Sequence, residues 1–106
     1  MVEVVKRPRV VDIHLENSAG HEFLVMLRED SGEARILFED YLFDDVPVHR
    51  VLDFLDLLER REVTLSFNRS GRVLVLRVSL PEGEWVDRRS YSADLSDWER
   101  SAAERG

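Results

Sequence analysis

Strand patterning marks three segments in the first part of the chain, and the first of them alternates apolar with polar residues most cleanly. In Val10 to Glu16, Val11, Ile13 and Leu15 alternate with Asp12, His14 and Glu16, the period of two that a half-buried strand requires. Asn17-Ser-Ala-Gly20 supplies turn chemistry and Glu22 to Arg28 reads as the next strand, so the pair is expected as a hairpin. Glu29-Asp-Ser-Gly32 repeats the turn signal ahead of Glu33 to Glu39, where Ala34, Ile36 and Phe38 share a face. The period then lengthens. From Pro47 to Arg61, Val48, Val51, Leu52, Leu55 and Leu58 fall at helical spacing, and Phe54 and Leu57 widen the stripe. Pro47 suits a first helical turn, Asp44 and Asp45 stand where carboxylates cap free amides, and Arg60 and Arg61 complement the other end of the dipole.

Alternation resumes in Glu62 to Asn68, with Val63, Leu65 and Phe67 inward, and Asn68-Arg-Ser-Gly-Arg72 reads as a loop into a long strand, Arg72 to Leu80. The pattern predicts an α+β fold: an antiparallel five-stranded sheet in βββαββ order, one helix packed on one face, and a short C-terminal helix. Pro81-Glu-Gly-Glu84 breaks the last strand, and the stretch to Ser92 is polar apart from Trp85, Val86 and Tyr91, the pattern of an ordered loop. Asp94 to Glu104 carries Leu95, Trp98 and Ala102 at helical spacing, with Ser96 and Glu99 three apart as in a capping box. Residues 1–9 are thus expected as a basic extension, 10–80 as the core domain, and 81–106 as a loop and terminal helix.

Splitting each strand into two faces exposes a difficulty, because one helix covers one side of a sheet. The opposite side carries Leu24, Met26, Leu37, Val73 and Val75, too apolar for simple solvation. Three covers suggest themselves: the chain's own tail with Trp85, Leu95 and Trp98, a second copy in a homodimer, or a different protein. An exposed Trp98 would make a natural binding anchor.

Composition narrows the choice. A length of 106 residues is enough for one core, and 43% hydrophobic with 35% charged residues describes a chain that folds in water. No run is long and apolar enough to span a bilayer, the first residues lack signal-peptide order, and no cysteine is present, so a cytoplasmic location without a membrane partner is expected. The net charge of −7 argues against nucleic acid as a partner and favours a protein with a basic surface. That charge is uneven: Glu29 to Asp45 holds seven acids, Asp40, Asp44 and Asp45 among them, against Arg35 alone. The first nine residues are instead basic through Lys6, Arg7 and Arg9.

Catalytic and cofactor chemistry finds little purchase. The five glycines are isolated, which gives no phosphate cradle and no implied cofactor. His14, His21 and His49 match no metal spacing, and Asp44, Asp45 and His49 are better explained by helix capping than by a cation. The pairs Glu39-Asp40 and Asp44-Asp45 read as a solvated acidic connection between third strand and helix, and Ser18, Ser31 and Ser70 sit in turns. Arg69 and Arg72, with the basic N-terminal residues, are the best case for nucleic acid, but the open face lacks the interleaved aromatic residues that RNA-binding sheets use. The expected function is a non-enzymatic protein-interaction domain, such as a small inhibitor, immunity or regulatory subunit, that binds through the apolar sheet face and the acidic segment. The alternative is a small-ligand-binding protein or enzyme subunit with a pocket between sheet and C-terminal segment, lined by Trp85, Tyr91 or Trp98.

Overall fold

The strand made by Val2–Arg7 (β1) turns through Pro8 and Arg9 into Val10–Glu16 (β2), and Arg9 takes the left-handed conformation that closes this tight connection (φ 67°). In this computed structural model, residues 2–16, 20–69, 71–90 and 95–105 are described. Glu22–Arg28 (β3), Glu33–Phe38 (β4) and Tyr41–Pro47 (β5) continue the meander, giving an antiparallel five-stranded sheet in the order β1-β2-β3-β4-β5. Of the expected turn between β2 and β3, residues 17–19 lie outside the described residues, and Gly20 carries the positive φ assigned to it.

A 3-10 turn, Val48–Arg50, leads into helix α1, Val51–Arg60. Thr64–Phe67 (β6), Val73–Leu80 (β7) and Gly83–Ser90 (β8) then form a separate antiparallel three-stranded sheet, and helix α2 spans Asp97–Arg105. The fold is α+β with a five-stranded antiparallel sheet, as expected, but five strands precede the first helix and three follow it, in place of βββαββ. The chain divides into two compact units, Met1–Val51 and Leu52–Gly106. No helix among the described residues is long and apolar enough to cross a membrane.

Three strands account for the difference in order. β1 lies within the expected basic extension, where Val4 and Val5 are adjacent and break the alternation, and every one of its residues is exposed. β5 was hidden by a bulge. Ile36 pairs with Phe43 but Ala34 pairs with Val46, so Asp44 and Asp45 together oppose Arg35, and Asp45 takes φ 60°. The two aspartates therefore belong to a strand rather than to a helix cap, and Pro47, at the start of the 3-10 turn, has no side-chain capping bond. β8 holds only Trp85 and Val86 among large apolar residues, yet it pairs with β7 over its whole length.

Helix α1 turns a slightly different stripe inward from the one its periodicity suggests: Val51, Phe54, Leu55 and Leu58 are buried, while Leu52 is 80% exposed. Phe54 meets Trp85 of β8 edge to face, ring centroids 5.9 Å apart. The inward row of β7 is Leu74, Leu76 and Val78, paired with Phe67, Leu65 and Trp85, and Phe67 at the strand end remains exposed. The helix ends in a Schellman arrangement: Glu62 N–H donates to Leu57 O (2.9 Å), Arg61 N–H donates to Leu58 O (3.2 Å), and Arg61 is left-handed (φ 59°).

Helix α2 starts as the capping box requires. Glu99 N–H donates to Ser96 Oγ (3.1 Å) and Ser96 N–H to Glu99 Oε1 (2.9 Å). Trp98 is 1% exposed, and its indole N–H donates to Leu58 O (2.8 Å), which fastens the tail helix to α1. Glu99 is equally buried and is held by Arg89 of β8 in a two-point contact, Nε to Oε2 (2.6 Å) and Nη2 to Oε1. The tail thus packs in cis within its own unit.

Candidate functional site

Strand register sorts the five-stranded sheet into two faces. Across one face run the rows Val2–Leu15–Phe23–Phe38–Tyr41, Val4–Ile13–Val25–Ile36–Phe43 and Lys6–Val11–Leu27–Ala34–Val46. Over β3, β4 and β5 this face is almost wholly buried, with Phe23 stacked on Phe38 at 4.8 Å. On the other face the row Glu3–His14–Leu24–Leu37–Leu42 lies beside the row Val5–Asp12–Met26–Arg35, which ends at the Asp44–Asp45 bulge.

Leu24 and Leu37, two of the residues expected on an open face, are direct cross-strand partners, and Leu42 extends the pair by one strand. Leu37 is 37% and Leu42 38% exposed, while Leu24 is half-buried. Beside them a shallow groove of about 430 Å³ is lined by His14, Gly20, His21, Glu22, Phe23, Leu24, Leu37, Phe38 and Glu39. The His21 ring there stands perpendicular to that of Phe38, with centroids 6.1 Å apart. Glu39 and Asp40 form the tight turn between β4 and β5, since Phe38 pairs with Tyr41, and Glu39 adopts φ 52° there. Glu22 and Glu39, which line the groove, are exposed, as is Asp40 next to Glu39 in the turn.

Charge separates along this face. At the end away from the groove, Arg7, Val10, Met26, Arg28 and Arg35 surround a smaller cavity of about 170 Å³. There Arg7 pairs with Asp12 (3.0 Å), and Asp44 Oδ1 accepts from Arg35 Nε (2.5 Å) with Arg28 Nη2 at 3.8 Å. Asp44 is therefore an internal counter-ion of the face, and Met26, opposite Arg35, sits in a charged neighbourhood rather than an apolar one. Asp45 is exposed in the bulge. Among the described residues no group of three or more His, Asp or Glu side chains is placed to hold a metal ion.

The remaining expected residues belong to the second unit. Val73 and Val75 lie on β7, in a different sheet from Leu24 and Leu37, and Val75 is buried. Trp85 is half-buried against Phe54, and Trp98 is a core residue of its unit rather than an exposed anchor. Tyr91, Ser18 and Ser70 lie outside the described residues. Leu42 was missed because its strand was, and the signal that would have found it is the Tyr41, Phe43, Val46 pattern read with one extra residue at the bulge.

A groove with leucine walls, two imidazoles and a carboxylate rim offers hydrogen-bond acceptors and dispersion contacts to an incoming group. Carboxylates of this kind complement cationic groups, and leucines complement apolar ones. Comparison with family models, curated proteins and solved structures finds no match to this chain.

Proposed function

We propose that the protein is a non-enzymatic protein-interaction module, of the kind found in inhibitors and small regulatory subunits, whose open sheet face takes a basic, apolar segment of a partner protein. The observation that supports it is the in-register row Leu24, Leu37, Leu42, partly exposed beside the Glu22, Glu39 and Asp40 carboxylates. A partner covering the row removes apolar surface from water at about 25 cal/mol per Å². The net charge of −7 speeds encounter with a cationic surface, an attraction that salt screens. A chain without cysteine suits a reducing interior, and a cytoplasmic partner fits this reading.

Calorimetry with two short peptides tests the proposal, one rich in lysine and leucine, the other with glutamate in place of lysine. The basic peptide is expected to bind, more weakly as salt rises, and Leu37→Asn is expected to reduce its affinity by about tenfold through one lost apolar contact. Equal binding of the acidic peptide, or indifference to Leu37→Asn, would overturn the proposal.

A further inference from the structure

The two edges of the five-stranded sheet are built differently. β5 carries a bulge at Asp44–Asp45, a left-handed residue in mid-strand and a proline at its end, the devices that keep an edge from pairing further. β1 has none of these. Its register with β2 is unbroken from Val2 to Arg7, and its valines are open to solvent: Val2 64%, Val4 58% and Val5 42% exposed. An unbroken edge strand with exposed β-branched residues is a template for adding a strand.

We propose that β1 is a homodimer seam, at which it pairs antiparallel with β1 of a second copy to make one continuous ten-stranded sheet across a two-fold axis. Symmetry restricts the register, and charge selects within it. A two-fold axis normal to the sheet keeps each face continuous, so a residue must oppose one of equal parity in the other copy. Centring on Val5 sets Val5 against the partner's Val5 and, on the same face, Glu3 against the partner's Arg7 and Arg7 against the partner's Glu3. On the opposite face Val4 meets the partner's Lys6, whose alkyl stem lies along it. Centring on Val4 instead places Glu3 against Val5 and forms no charge pair. The strand is self-complementary in the first register, which selects a second copy as the occupant. With the β5 edge closed, the assembly stops at two copies instead of growing into a fibre.

This seam is distinct from the Leu24–Leu37–Leu42 groove, and the test leaves the groove untouched. Light-scattering mass across a dilution series of the full chain is expected to rise from monomer to dimer. Glu3→Arg sets arginine against the partner's Arg7 at both symmetric positions and is expected to move the midpoint up in concentration by about tenfold. Arg7→Glu acts likewise by setting two carboxylates against each other. An equimolar mixture of the two variants is expected to recover the dimer, because every arginine at position 3 or 7 of one copy then faces a glutamate of the other. Should the loss of the Arg7–Asp12 pair disturb folding, seen by circular dichroism, Val5→Lys places like charges on the axis and is expected to give a monomer. A wild-type monomer at every concentration, or a dimer that neither Glu3→Arg nor Val5→Lys weakens, overturns the seam.

Discussion

Leu58 joins three features of the second unit at one residue. Its side chain is fully buried in the α1 stripe, while its carbonyl accepts both Arg61 N–H at the helix end and the Trp98 indole N–H. Trp98→Phe keeps most of the ring but leaves a buried carbonyl with one donor fewer, and a loss of about 1–3 kcal/mol is expected by urea unfolding. The buried Glu99–Arg89 pair behaves differently. Removing the cation alone strands a carboxylate that is 1% exposed, so Arg89→Ala is expected to cost about 3–5 kcal/mol. The Ser96–Glu99 capping box was legible from spacing alone, because both partners lie within one turn. Arg89, ten residues away on a strand read as a loop, was not.

At the scale of elements, local pattern located what local physics determines. β2 and β3 have the bounds their pattern predicts, α2 follows its periodicity and its cap, and α1 forms within the expected segment but without the aspartate cap and with Leu52 turned outward. The strands that escaped detection are those whose pairing comes from neighbours: β5 with its bulge, β8 with its charged surface, and β1 with no buried residue. The α1 register can be checked by contrast. Leu55→Ala is expected to lose about 2–5 kcal/mol, whereas Leu52→Ala, on the exposed side, is expected to stay within about 0.5 kcal/mol of wild type. Ser96→Ala removes the cap hydroxyl from α2 and is expected to cost about 0.5–2 kcal/mol. Equal effects at Leu52 and Leu55 would contradict the observed helix face.

For the whole molecule, the sequence indicated an apolar second face and an acidic middle without showing how they combine. Leu24 and Leu37 do meet across β3 and β4, but Val73 and Val75 belong to another sheet and Trp98 to the core of the second unit. Sheet membership depends on pairings between distant segments, which alternation does not encode. The acidic stretch likewise divides in space: Asp44 neutralises Arg35, while Glu39 and Asp40 remain at the exposed turn beside the leucines. The proposed function therefore rests on one surface, the groove on the open face of the five-stranded sheet. Residue-resolved NMR of the full chain, titrated with the lysine- and leucine-rich peptide, tests it most directly. Shifts concentrated at His14, Leu24, Leu37, Glu39 and Leu42, and diminished by salt, are the predicted result. Shifts confined to α1 or α2, with that row unmoved, would contradict it.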